Sequence, residues 1–425
     1  MSGPILPSAV EVPSIRLQNF DRQKDYDITF LVNSINIYES LVNTSLSADI
    51  YLVEGVELIN RFPILGEEYV VLSLQTPDRE KIEFEFFVDS IQRVQQDENS
   101  TIRYYLLHCI TDDHLKNSYN TFSKRYTDID YDAAVQTTMN ILEASKPVNV
   151  EKTKGKFDFV VNNVRPFQVI DLIKERAVSK NFKSSKFFFY EDHKEYNFTT
   201  LEKLIQERKG LIGDFTFKFD VTQQAVDIQE REQWRNILSY EINNIGSSTK
   251  KIKTGRIRNQ IRQFNILNGT YYDSYEYVNS KDQGEFAQID GKNVDFNSES
   301  FNLTAESKPG RISMVIKDGL RPEMEHNKNI HYKHAYEEKI SQFSLNIRVY
   351  GDTNLRVGDV IRVESPEVVG SSSDKERNKQ KNYEGNYIVF SQRHRVDRQG
   401  NDNYFRHYMD LDLRKPAFLD ISGED

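Results

Sequence analysis

Along the first quarter of the chain, apolar side chains recur at every second position. Ile82, Phe84, Phe86 and Val88 alternate with Glu83, Glu85 and Phe87, the period of a strand with one face in a core. Residues 28–32 and 47–53 are rich in the residue types that favour strands, and residues 68–74 follow Leu65-Gly66. After Asp97-Glu98-Asn99-Ser100, a turn composition, residues 101–109 return as a partner strand. Residues 15–110 are therefore expected to form an antiparallel barrel or sandwich.

Past Thr111 the period changes. Tyr131, Ala134, Val135, Met139 and Leu142 fall on one helical face, with Asp128 and Asp130 as candidate caps. A second helix is predicted from Pro166, close to Asn163, with Phe167, Ile170, Ile173 and Ala177 as its stripe. Strands over residues 186–191 and 196–199 come next, then a helix that Thr199 and Glu202 would open as a capping box. Phe215, Phe217 and Phe219 alternate again within residues 214–228. Residues 243–329 are polar, with strand candidates at 263–268 and 312–316, and read as an insertion.

The C-terminal stretch repeats the first. Leu355-Arg356-Val357-Gly358-Asp359-Val360 places Gly before a strand, as Leu65-Gly66-Glu67-Glu68-Tyr69 does. Residues 387–396, a turn at 397–401 and residues 404–413 form a hairpin that overlays residues 87–110 without a gap. Gln92 and Arg93 then meet Gln392 and Arg393, and Tyr104 meets Tyr404. The expected fold class is mainly β with α+β: two related antiparallel β-barrel domains flanking an α+β domain, with an insertion in the second barrel. The boundaries read as 1–115, 116–213, 214–242 with 330–415, an insertion at 243–329, and a tail at 416–425.

Composition narrows the function. At 425 residues with 38% hydrophobic and 28% charged positions, the chain is long enough for several cores. The net charge of −9 argues against general nucleic-acid affinity. One run opposes that balance, from Lys250 through Lys251, Lys253, Arg256 and Arg258 to Arg262, and a solvated linker or exposed strand is its simplest reading. Residues 1–13 carry no basic region followed by an apolar run, so no secretion leader is expected. No apolar stretch is long enough to span a bilayer, so no membrane insertion is expected either.

Candidate chemistry is sparse. Phosphate-loop, dinucleotide and serine-elbow motifs do not occur. Cys109, the single cysteine, sits beside His108, but neighbours on a strand point to opposite faces, which separates thiol from imidazole. His326, His331 and His334, with Glu323 and Glu325 nearby, are metal-ligand types, yet Lys328 and Lys333 among them would repel a cation. Trp234 reads as a packing residue or a partner anchor. No catalytic, cofactor-binding or metal residue is assigned, no cofactor is implied, and the chain is expected not to be an enzyme.

Several short motifs resemble a known family. Phe187-Phe188-Phe189-Tyr190-Glu191-Asp192, then Tyr196-Asn197-Phe198 and Leu201, is similar to a stretch of the baseplate central hub protein of contractile-tailed, T-even-like bacteriophages. So are Arg165-Pro166-Phe167, Asn354-Leu355-Arg356-Val357-Gly358-Asp359-Val360-Ile361, and Tyr383-Glu384-Gly385-Asn386-Tyr387-Ile388-Val389. The resemblance implies tube-type β domains and a homotrimer whose six related units match a six-fold tail tube to a three-fold spike. It implies as partners a separate central spike protein, the tail tube protein, and baseplate wedge or other baseplate proteins. DNA would pass through the channel without specific binding, and the protein would belong to the virion tail baseplate, assembled in the host cytoplasm. A hub-like subunit of a contractile injection or type VI secretion machine, and a tail-associated cell-wall hydrolase, stay open as alternatives.

Overall fold

The computed structural model of the chain describes residues 8–12, 14–55, 64–77, 79–96, 102–182, 184–208, 216–218, 235–245, 248–254, 258–265, 269–278, 293–294, 311–316, 333, 340, 343–364, 384–399, 405–415 and 418–419.

The N-terminal alternation folds as strands β1 (Ala9–Val10), β2 (Ile15–Gln18), β3 (Asp25–Asp27), β4 (Val32–Ser40), β5 (Ser47–Glu54), β6 (Tyr69–Leu74), β7 (Ile82–Gln96) and β8 (Arg103–Ile110). Their order is β4-β5-β8-β7-β6-β2-β3, antiparallel throughout. Ile15, Ile37, Ile50, Leu72, Phe86 and Cys109 come from six of these strands and meet in one core. The sheet therefore wraps around its own apolar face, which is how a strand layer without covering helices removes that face from water.

The middle segment holds α1 (Asp112–Tyr119), β9 (Phe122–Asp130), α2 (Tyr131–Leu142), β10 (Val148–Val150), β11 (Lys156–Val164), α3 (Pro166–Arg176), β12 (Phe187–Glu191), β13 (Tyr196–Thr200) and α4 (Leu201–Arg208). The predicted stripe of α2 is buried, as are Phe167, Ile170 and Ile173 of α3. The caps differ from expectation. Asp130 makes no side-chain cap bond, and the Asp132 N–H donates instead to Thr153 Oγ1 at 3.0 Å. Thr199 donates its hydroxyl to Glu151, so Thr200 Oγ1, one residue on, accepts the Lys203 N–H at 3.4 Å. In both places a contact distant in sequence satisfies a group that local spacing assigned to a local partner.

Strand β12 is buried on both faces. Phe187 and Phe189 enter the core beneath α2 and α3. Phe188 and Tyr190 enter a second core with Leu201 and Leu204 of α4 and with Val357, Ile388 and Phe390 of the C-terminal β unit. That double burial accounts for the unbroken aromatic run.

The remainder comprises β14 (Thr216–Lys218), β15 (Ile237–Ile245), α5 (Ser248–Thr254), β16 (Arg258–Asn265), β17 (Thr270–Val278), β18 (Asn293–Val294), β19 (Arg311–Ile316), β20 (Phe343–Tyr350), β21 (Val360–Glu364), β22 (Gly385–Arg398), β23 (Phe405–Lys415) and β24 (Phe418–Leu419). Strands β15-β20-β23-β22-β21 are antiparallel neighbours over a core that includes Leu345, Ile347, Val389 and Leu411. The insertion carries a separate sheet, β17-β16-β19. Its basic run falls on α5 and β16, with Arg256 outside the described residues. No helix among the described residues is long and apolar enough to cross a membrane.

Candidate functional site at the seam between the two β units

The two β units share one sheet. Strand β22 pairs antiparallel with β4 from Ser391↔Ser40 to Asp397↔Ser34, so the sheet runs β15-β20-β23-β22-β4-β5-β8-β7 without a break.

Within that sheet the units repeat, with β4-β5-β8-β7-β6 in the first and β15-β20-β23-β22-β21 in the second. The details repeat as well. Gly66 and Gly358 have φ of 88° and 90°, left-handed values that favour glycine. Each precedes an acidic residue that folds back on the turn: Glu68 accepts the Leu65 N–H at 2.7 Å and Asp359 accepts the Arg356 N–H at 2.8 Å. The Glu68 and Asp359 carbonyls then accept the N–H groups of Val88 and Val389. A bulge follows each valine, before Ser90 and before Ser391.

These landmarks correct the gapless overlay of the hairpins. Past the bulge, Gln92 corresponds to Arg393 rather than Gln392, and in the returning strand Tyr104 corresponds to Tyr408 rather than Tyr404. The overlay would set exposed Gln92 on Gln392, which is 3% exposed. A slip of one residue moves a side chain to the opposite face.

The outer face of the sheet carries a ladder of paired charges. Asp410 on β23 accepts from Arg348 on β20 at 2.7 Å and also from Arg393 on β22. Partial burial alone would raise its pKa, but the Arg348 hydrogen bond and the Arg393 charge hold it below the ordinary carboxylate value. Asp397 pairs with Arg395 at 2.6 Å and Asp412 with Arg414 at 2.9 Å. Across the seam, Tyr38 donates to Asp49 at 3.1 Å, and His108 lies 2.8 Å from the same carboxylate. A groove of about 670 Å³ runs over the seam, lined by Tyr38, Asn346, Arg348, Ser391, Arg393 and Asp410.

Beneath the seam is a buried polar network. Gln392 Nε2 donates to Glu39 Oε2 at 2.8 Å, His394 Nε2 lies 3.8 Å from Glu39 Oε1, and His394 Nδ1 and His407 Nε2 share a hydrogen bond of 3.0 Å. Burial, reinforced by Asp192, pushes the Glu39 carboxyl up to about 8, so it is neutral at pH 7. Burial lowers both histidines, His407 to about 3. Sequence reasoning missed this network, although Glu39 continues the inward parity of Ile35 and Ile37 and was the available signal.

The network predicts a pH dependence. A carboxyl whose folded pKa lies above its unfolded value of about 4.3 contributes stability that is complete below that value and is lost as pH rises to the folded pKa. Glu39→Gln should therefore gain on the native chain between about pH 5 and pH 8, by roughly 2–4 kcal/mol in urea unfolding. A difference that stays flat across that range would mean that Glu39 titrates normally. The histidines act in the opposite sense, contributing above about pH 6.5 and losing that contribution as pH falls through their lowered values.

His108 faces the outer ladder and Cys109 the core, where burial pushes the thiol up, so the two form no catalytic pair. His326, His331, His334, Glu323, Glu325 and Trp234 lie outside the described residues. Lys333 is described and pairs with Glu175 of α3. Among the described residues no group of three potential metal ligands occurs.

The sequence matches no protein-family model and no curated protein. Solved structures are similar to it in fold. One is the tail protein from Neisseria meningitidis MC58, 10% identical over 95% of this chain and 96% of that one, with a TM-score of 0.56. Another is the 43 kDa tail protein of prophage MuSo2 from Shewanella oneidensis, 9% identical over 95% of this chain and 98% of that one, with a TM-score of 0.57. The likeness spans nearly the full length of each chain, and this chain has the fold of those tail proteins.

Proposed function

We propose that the chain is a structural ring subunit of a phage-type contractile tail, the baseplate hub joining the tail tube to a central spike. The observation that carries this reading is the seam, where one chain holds two copies of a five-strand unit joined edge to edge. Three such chains present six related units in a ring, which meets a six-fold tube on one side and a three-fold spike on the other. The hairpins β7-β8 and β22-β23 build the ring wall, and the tube protein, a separate spike and other baseplate proteins are its neighbours. DNA crosses the opening without being held, since the outer-face arginines Arg348 and Arg393 are paired with Asp410, Arg395 with Asp397 and Arg414 with Asp412. The chain does no chemistry of its own in this reading, and wall digestion belongs to a partner.

Light scattering with negative-stain imaging of the same sample tests the proposal. Three times the chain mass and an open ring with a six-fold outline are expected. Needle- or fibre-shaped particles, or a chain that stays monomeric even when co-expressed with the neighbouring tail genes, would overturn it.

A further inference from the structure

The repeat specifies how one copy would meet the next. In the second unit, β21 occupies one side of β22 only as far as Ile388, and beyond the bulge β4 takes over that side. In the first unit, β6 occupies the corresponding side of β7 only as far as Phe87. From Ser90 onward β7 is hydrogen-bonded, among the described residues, to β8 alone. At the far end of the sheet, β15 stands where β4 stands in the first unit, and among the described residues it is paired only with β20. Among the described residues, one chain thus has a filled copy of the junction, β22-β4, together with the two halves of an unfilled one.

We infer that β7 of one copy pairs antiparallel with β15 of the next, in the register of the β22-β4 seam. This rests on the ring reading and supplies its subunit contact. The register follows from the equivalences. Gln392↔Glu39 and Arg393↔Tyr38 in the seam become Ile91 opposite Ile245 and Gln92 opposite Asn244 between copies. The pairing sets an apolar residue opposite an apolar one and an amide opposite an amide, although the repeat alone fixed the alignment. Strand edges left open template pairing with another chain and are usually guarded. Here β15 instead leaves Leu238 and Tyr240 40% and 59% exposed. The contact is head-to-tail, the kind that a ring uses and a two-fold dimer does not.

Cysteine cross-linking of the full chain tests the register, and the lone native thiol, Cys109, is fully buried and gives no background. Under a copper–phenanthroline oxidant, Gln92→Cys/Asn244→Cys should give dimer and trimer bands on a non-reducing gel, while either single substitution gives none. Tyr38→Cys/Arg393→Cys, the same pair inside the seam, should close within one chain and give no ladder. A trimer by light scattering that yields no ladder, while the seam pair closes, refutes this strand pairing and leaves the ring standing. A chain that stays monomeric and gives no ladder even when co-expressed with the neighbouring tail genes refutes both. Should the double variant not fold, hydrogen exchange on the native chain reads the same contact. Residues 90–96 and 237–245 should be protected in the trimer, and rapid exchange of both in an intact trimer refutes the pairing.

Discussion

Gly351→Ala is expected to destabilise the chain by about 3 kcal/mol or more, the range reached when a rigid core is overpacked. Gly351 does not have a left-handed φ. On backbone grounds alone alanine should be tolerated there, or should stabilise by about 0.4–1 kcal/mol through the unfolded chain. The obstacle is His407, because a Cβ at position 351 would lie 2.0 Å from its Cγ and Nδ1 and 2.5 Å from its Cε1. The imidazole has little room to move away. It is 1% exposed, stacks on His394 at 5.2 Å between centroids and shares a hydrogen bond with it. Its backbone is pinned on both sides, with the carbonyl accepting the Gly351 N–H and the N–H donating to Ser8. Urea unfolding measures the loss. The double variant Gly351→Ala/His407→Ala should recover part of it, since the methyl could then occupy the vacated space, and the double-mutant cycle isolates that coupling. A loss below about 1 kcal/mol in the single variant would show that the ring can yield.

The same two histidines mark where the sequence stops being informative. Alternation located β7 because Ile82, Phe84 and Phe86 face the core and Glu83 and Glu85 face water. Phe87 falls on the other phase, with Glu83 and Glu85, yet it is buried there against Tyr69 at 5.5 Å between rings. Helical spacing located α2 and α3, because a helix over one core needs only a stripe. The seam left no such trace. Its inward positions Glu39, Gln392, His394 and His407 are polar, and their partners lie on strands separated by hundreds of residues or by a hairpin. The Arg348–Asp410–Arg393 ladder is hidden for the same reason, since cross-strand neighbours are set by register and not by spacing along the chain. The repeat itself was legible from Gly66 and Gly358. Its alignment was not, because only the bulges show which residues correspond.

Glu191→Ala should cost about 3–5 kcal/mol, the range for removing one partner of a buried ion pair. Glu191 ends the aromatic strand β12, and its side chain is 1% exposed. One oxygen receives Lys146 Nζ at 2.8 Å; the other accepts the Leu46 N–H at 3.1 Å and the Thr111 hydroxyl at 3.0 Å. Leu46 immediately precedes β5 and Thr111 immediately follows β8, so one carboxylate ties the first β unit to the α+β segment. Burial raises its pKa above the ordinary carboxylate value, and Lys146 and the hydrogen bonds offset part of that rise. Alanine would strand a buried backbone N–H and leave the Lys146 ammonium without its nearest anion. Glutamine keeps the shape and one acceptor and should cost less, about 1–3 kcal/mol. Urea unfolding separates the two substitutions, and equal losses would mean that the Lys146 charge, not the hydrogen bonds, holds the joint. Hydrogen exchange places the effect, with the Leu46 amide losing protection in the alanine variant while α2, whose core lies on the far side of β12, keeps its own. A joint loosened in this way would let the α+β segment swing against a sheet that has to stay in register to close a ring, so both variants should also lower the trimer fraction measured by light scattering.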